Sequence, residues 1–334
     1  MIDQLKAGQC AEITSSGESI IKTYYSHYGL HNNVNACNTE ILRNVIDTMM
    51  NRLLSTFDKN RRIVIPLSGD YDSRLIACLM KKYNHTNVVC YSYGISEDYE
   101  VKNLKKVAES LGFKWYYIKY DKNKWDHFFS DDEGVKEYFE NVSNDYALPH
   151  IQEYMALDEL MRKKVIEPGD IVIPGFCGDF PAGSFTEVID YKIYDMNQLI
   201  EHIINYHYIN FPISEYSHKI FKNKLESYFI SNNYLIKDRD TFISAYEEWS
   251  ICSRVTMWVV NSVRVYEHFG LDWRLPMWNK DYLSYLYSIP NTLRNNCEWY
   301  NQFLFNEYFN KYHVSMKNQN IHYCTKRKSI FDSK

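Results

Sequence analysis

Arg61-Arg62-Ile63-Val64-Ile65-Pro66-Leu67-Ser68-Gly69-Asp70-Tyr71-Asp72-Ser73-Arg74-Leu75-Ile76-Ala77-Cys78-Leu79-Met80 is the stretch that decides the fold. Ile63-Val64-Ile65 is too short for a helix and rich in β-branched residues, and it predicts a buried strand of a parallel sheet. The small polar turn Ser68-Gly69-Asp70 follows. From Asp72 onward, Leu75, Ile76, Leu79 and Met80 repeat at helical spacing, with Asp72 or Ser73 expected as the N-cap. Strand, small turn and capped helix together point backbone N–H groups at an anion, so a phosphate or pyrophosphate is the expected guest. The Gly-Lys-Ser/Thr ending of a Walker loop is absent.

Working outward, the same alternation continues. Glu40 to Phe57 carries Ile41, Leu42, Val45, Ile46, Met49, Leu53 and Leu54 at three- and four-residue steps and predicts a helix leading into the first strand. Residues 87–94 form a second strand ending at Tyr93-Gly94, 97–112 a helix stopped by Gly112, and 115–118 a third strand. Residues 121–148 carry no clear pattern. A helix is expected over 151–164 and a fourth strand over 171–174, running into Gly175-Phe176-Cys177-Gly178-Asp179-Phe180-Pro181-Ala182-Gly183-Ser184. The expected fold is α/β, a doubly wound and mostly parallel sheet with a helical C-terminal section from about 190. That section includes one long helix over 246–270 and another over 281–288. Residues 1–57 read as a lead-in strand and helix, and 58–334 as one nucleotide-binding domain. Ligands of open α/β sheets sit at the carboxyl edge, so two acidic loops there can share one Mg²⁺.

Composition bounds the rest. Of 334 residues, 45% are hydrophobic and 24% charged, and the net charge of −4 gives no electrostatic case for a nucleic-acid or anionic membrane partner. The N-terminus lacks a secretory pattern, and no apolar run is long enough to cross a bilayer. Eight cysteines are scattered, with no Cys-x-x-Cys pair, which argues against zinc and dithiol redox chemistry. A reduced, cytoplasmic protein is expected.

Ser68-Gly69-Asp70-Tyr71-Asp72-Ser73 resembles the Ser-Gly-Gly-x-Asp-Ser loop of the ATP pyrophosphatases of the PP-loop (adenine nucleotide alpha hydrolase-like) type. The chain further resembles the synthetase domain of the glutamine-hydrolysing asparagine synthetases. Four segments match in family order: Ser68–Ser73, Gly175–Ser184, Arg264 with Arg274-Leu275-Pro276, and Lys326-Arg327-Lys328-Ser329-Ile330-Phe331. The resemblance implies an ATP-dependent, AMP-forming carboxylate–amine ligase acting through an acyl-adenylate, with ATP and Mg²⁺ as cofactors. Ser68, Gly69 and Ser73 would cradle pyrophosphate, and Asp72 and Asp179 would hold Mg²⁺. Lys328, with Asp179, would be catalytic. Adenine would lie against Pro66 and Tyr93, with Gly175 permitting close approach.

Three positions depart from the family pattern. Asp70 stands where the loop has its second glycine, Phe176 where the second loop has a glutamate, and Asn279 where an acidic residue follows the Arg-x-Pro segment. On this resemblance the chain is expected to act without the family's glutaminase segment, so the expected partners are a small-molecule carboxylate, such as a sugar or amino-acid intermediate of polysaccharide or secondary metabolism, and ammonia or an amine. A separate glutaminase is one source of that nitrogen. Two other readings come from the same residues: a weakened ATP-binding subunit supporting a partner enzyme, motivated by Asp70 and Phe176, and an RNA-directed transferase, disfavoured by charge and by the lack of a thiol pair. Arg264 and Arg274 are read as structural partners, and His150 as a helix-start residue.

Overall fold

A computed structural model of the chain describes residues 5–30, 37–96, 99–143, 147–186, 189–208 and 212–315. The chain opens with an antiparallel hairpin, β1 (Gln9–Ile13) and β2 (Ser19–Thr23), whose second strand the sequence pattern did not announce. Helix α1 (Thr39–Leu54) follows, capped by Asn38, whose side chain accepts from the Glu40 and Ile41 N–H groups. The main sheet contains β3 (Ile63–Pro66), β4 (Val88–Gly94), β5 (Lys114–Lys119), β6 (Ile171–Val172) and β7 (Asp272–Trp273) in the order β5-β4-β3-β6-β7, every pair parallel.

The pleat explains why Ile63-Val64-Ile65 is apolar throughout. Ile63 and Ile65 pack with the core beneath α1, α2 (Tyr71–Lys82) and α3 (Tyr99–Leu111), whereas Val64 joins Tyr91 and Val172 in a second core on the other face. That second core is covered by α4 (Lys122–Ser130), α5 (Asp132–Val142), α6 (Ile151–Arg162) and α11 (Arg264–His268). The unpatterned 121–148 stretch thus holds two helices, started by the Asp121 and Asp131 side chains as N-caps. A third core belongs to α8 (Met196–His207), α9 (Glu215–Ser231) and α10 (Arg239–Ser250), the helical section expected from about 190.

Three expectations need correction. The N-cap of α2 is Asp70, with extended backbone and no side-chain cap bond, so Asp72 and Ser73 lie inside the first turn. Residues 71–80 are buried all round, not on one face, because α14 (Glu298–Leu304) and the π-helical turn Phe305–Phe309 close over the helix. Arg74, fully buried there, lies over the Tyr71 and Phe309 rings and donates to the carbonyls of Asp70 and Val314. Finally, the long helix expected over 246–270 is interrupted: α10 passes into π geometry over Ile251–Val260 and 3₁₀ geometry over Asn261–Val263 before α11.

The strand order places the site. The chain runs outward from β3 to β4 and β5, then returns to the other side of β3 as β6. β3 and β6 therefore flank the reversal point, and the loops leaving their carboxyl ends face each other.

Candidate functional site

The loop after β3 is closed on itself by its two serines. The Ser68 N–H donates to Ser73 Oγ at 3.0 Å, the two hydroxyls lie 3.1 Å apart, and the Asp70 N–H donates to Ser68 Oγ at 3.3 Å. This ties the start of α2 to the end of β3, so that the helix N-terminus, whose first-turn N–H groups have no partner within the helix, opens on the sheet edge.

The loop after β6 docks directly on that turn. Asp72 Oδ2 accepts from the Gly178 N–H at 2.7 Å and the Asp179 N–H at 3.1 Å, capping the one-turn helix α7 (Asp179–Ala182) from across the reversal point. Asp72 is 5% exposed, and its Oδ1 is buried with no hydrogen-bond partner. Burial pushes the Asp72 carboxyl well above the usual carboxylate range, and the neighbouring Asp179 charge pushes it further. Desolvation also raises Asp179, a more exposed residue, with Asp70 adding to the rise. Two carboxyl groups are held together, that of Asp72 buried and that of Asp179 on a more exposed residue, with one Asp72 acceptor atom left over.

Glycine permits this docking. A Cβ on Gly175 would meet Ser73 N at 2.5 Å and the Asp72 carbonyl carbon at 2.9 Å, both rigid backbone. The approach that Gly175 allows is thus to the start of α2 as well as to the cavity. Gly175→Ala is expected to lower stability by about 2–3 kcal/mol, measured by urea unfolding. Gly69→Ala serves as the contrast, because the nearest atoms its Cβ would meet belong to the flexible end of the Glu100 side chain, and is expected to cost under about 1 kcal/mol. Equal losses would contradict this account of the seat.

Between the loops and the ends of β3 and β4 lies a cavity of about 750 Å³, within the size range of small-molecule sites. Pro66, Ser68, Gly69, Asp72, Ser73, Tyr93, Gly175 and Asp179 all line it. Lys328 lies outside the described residues. Phe176 lines the cavity and packs against the second core. Arg264 pairs with Glu267, and Arg274 donates to Thr56 Oγ1 and the Trp273 carbonyl, so both have structural partners. His150 is the N-cap of α6 without a side-chain cap bond; it lines the cavity, and burial lowers its pKa. Asn279 caps α12 (Lys280–Ser288).

Other lining residues escaped the sequence reading. Cys177 and Cys297 both face the cavity, and Cys297 Sγ lies 3.3 Å from the Asp179 carbonyl. Burial pushes both thiols well above their ordinary range, which keeps them protonated. Glu153, in the first turn of α6, is 3% exposed and bonded to the Tyr91 and Tyr266 hydroxyls. Its signal was present: a charge at 153 falls on the same stripe as Ala156, Leu157 and Leu160. Among the described residues no group of three or more His, Cys, Asp or Glu side chains forms a ready metal cage, and no helix is long and apolar enough to cross a membrane.

Fold and site together define an α/β protein whose parallel sheet carries a serine-closed, PP-loop-like anion turn beside a second acidic turn. No family model matches the chain. It is similar to the tRNA-specific 2-thiouridylase MnmA of Lactiplantibacillus plantarum, 32% identical over an 89-residue alignment. That alignment covers 22% of this chain and 22% of the relative, so the chain matches only about a fifth of that protein's length. The relative belongs to the PP-loop ATP pyrophosphatase class, which supports the broader class and not the asparagine synthetase branch.

Proposed function

We propose that the protein is an ATP-dependent, AMP-forming ligase that joins a small carboxylate to an amine. The observation that carries this reading is the meeting of the two acidic turns at the reversal point, with Asp72 Oδ1 left unpartnered at the cavity. A buried, orphaned carboxylate oxygen beside a second, more exposed carboxyl is a donor set suited to Mg²⁺, which takes one or two carboxylates and completes its shell with phosphate oxygens and water. Asp72 and Asp179 would hold the ion, which when bound supplies positive charge to the phosphates. Ser68, Gly69 and Ser73, with the first-turn N–H groups of α2, orient the β- and γ-phosphates. Pro66 and Tyr93 supply an apolar wall for adenine. In the reaction a substrate carboxylate oxygen bonds to the α-phosphorus as the bond to pyrophosphate breaks. The amine nitrogen then bonds to the acyl carbon, AMP leaves, and the nitrogen gives up a proton. The catalytic role of Lys328 and the source of the amine belong to this proposal.

The test is ATP–pyrophosphate exchange with a panel of amino-acid and sugar carboxylates. Carboxylate-dependent exchange is the expected result. Tight binding of Mg·ATP without exchange with any carboxylate would favour the weakened-subunit reading. A second reading, RNA thiolation, is favoured by the relative's name and by the two thiols in the cavity; the raised pKa of both thiols counts against it. AMP release that depends on added tRNA would establish it in place of the ligase.

A further inference from the structure

The cavity straddles the sheet edge. One end lies among Tyr71, Leu104 and Tyr300 of the α1–α3 core, beside the serine-closed turn. The other lies among Tyr91, Phe176 and Tyr266 of the α6–α11 core. Glu153 forms the floor of this second end. Its two oxygens accept separately, Oε1 from the Tyr91 hydroxyl and Oε2 from the Tyr266 hydroxyl at 3.0 Å, so the carboxyl is fixed in place as an acceptor. Five carboxylate side chains line the cavity, those of Asp70, Asp72, Glu100, Glu153 and Asp179, and among the described lining residues there is no Lys or Arg.

We propose that the Glu153 end of the cavity is a subsite for a cationic nitrogen, a primary ammonium or guanidinium group on the amine-bearing substrate. The inference rests on the ligase reading, to which it adds the charge class of the second substrate. A buried carboxyl that two phenols hold as an acceptor lacks only a positive partner, and isolated buried charge is costly until it has one. The tyrosine and phenylalanine rings around it offer further attraction to a cation. A carboxylate substrate is disfavoured here because Glu153 would repel it. An adenine base can donate from its N6 amino group but carries no positive charge, so it would leave the charge of the buried carboxylate uncompensated.

Protonation supplies an independent sign. Burial lifts Glu153 to about 7, with the two phenol bonds opposing the rise. The groups facing it are Tyr91 and Tyr93 from β4, Tyr120 beyond β5, Tyr138 from α5 and Tyr266 from α11, all with raised pKa and so neutral through pH 8. His150 at the start of α6 is lowered by burial. Only Glu153 of these gains its charge near neutrality, so cation binding strengthens as pH rises through 7 and weakens as it falls.

The test uses the full chain with n-butylammonium chloride and agmatine as probes, n-butanol as the neutral control, and free adenosine as the competing class, followed by ligand-observed NMR titration. The expected result is saturable binding of the cations and not of butanol, about ten-fold tighter at pH 8 than at pH 6, and weakened at least ten-fold in Glu153→Gln. Tyr266→Phe, which keeps the ring and removes one phenol donor, is expected to weaken it less. The pH comparison needs only the wild-type chain, so a variant that fails to fold does not spare the proposal. No cation binding at pH 8, binding indifferent to pH, or adenosine binding that strengthens at pH 6 and is lost in Glu153→Gln would each overturn it. Binding of Mg·ATP is titrated separately. If nucleotide binding fails while the cations bind, the ligase reading falls and the subsite stands; if nucleotide binds and the cations do not, the reverse holds.

Discussion

Asp179→Asn is expected to lower ATP-dependent AMP or pyrophosphate release by about 10³-fold and, in the same protein without metal or nucleotide, to raise the thermal midpoint. The two effects have one cause. Buried Asp72 sits beside the more exposed Asp179 at the reversal point, desolvation raises the pKa of both, and the Asp179 charge raises Asp72 further. In the empty protein each carboxylate destabilises the other, and nothing on the described cavity wall is cationic. Asparagine keeps the shape and removes one charge. A gain of about 1 kcal/mol is the scale seen when a functional site is relieved of strain. With Mg·ATP bound the balance reverses, because the charge removed is the one proposed to meet the ion. Thermal unfolding in EDTA and a pyrophosphate-release assay under saturating Mg·ATP measure the two halves. A variant less stable than wild type, or one within ten-fold of its activity, would show that Asp179 only braces its loop.

The parts of this site legible in the sequence are the local ones. Ile63–Pro66, the small turn and the helix after it are set by β-branching, turn chemistry and helical spacing within twenty residues. The two loops could be paired in advance because both follow apolar runs of strand length, and strand ends in α/β sheets share an edge. What stayed hidden depends on distant chain. Asp72 reads as a cap of its own helix because its true partners, the Gly178 and Asp179 N–H groups, lie more than 100 residues away. Helix α2 reads as one-sided because the cover over its other face comes from residues 298–314. Glu153 drew no reading because the tyrosines that hold it come from β4 and α11. The Glu-to-Phe departure at 176 was visible, but its burial against the second core was not. Burial of a charge is a property of the assembled faces, and a single segment's spacing registers it only as an interruption, as at 153 on its apolar stripe.

The second large effect is expected behind the acidic turn, at Arg294. Its guanidinium makes two bonds to Glu247, Nη1 to Oε1 at 3.0 Å and Nη2 to Oε2 at 2.8 Å, with both side chains 1% exposed. Nη1 also donates to the Pro181 carbonyl at 2.8 Å, inside the turn that carries Asp179. Gly183, which ends that turn in the left-handed region, is pressed against the Arg294 carbonyl, where a side chain would collide with backbone. Arg294→Met is therefore expected to cost about 3–5 kcal/mol, since it strands a buried carboxylate. Replacing both partners, Glu247→Leu with Arg294→Met, is expected to restore most of that, because a buried ion pair is worth little more than an apolar pair of similar volume. Binding need not recover with stability. The double variant still lacks the donor to Pro181, so α7 loses its rear support, and Mg·ATP is expected to bind about ten-fold more weakly than to wild type, a loss of roughly 1.4 kcal/mol. Urea unfolding of both variants and the wild type, with nucleotide titrations on the folded ones, separates the two contributions. A double variant as unstable as the single would mean that the pair is not the energetic unit, and one with wild-type nucleotide affinity would mean that the Pro181 bond does not position the turn.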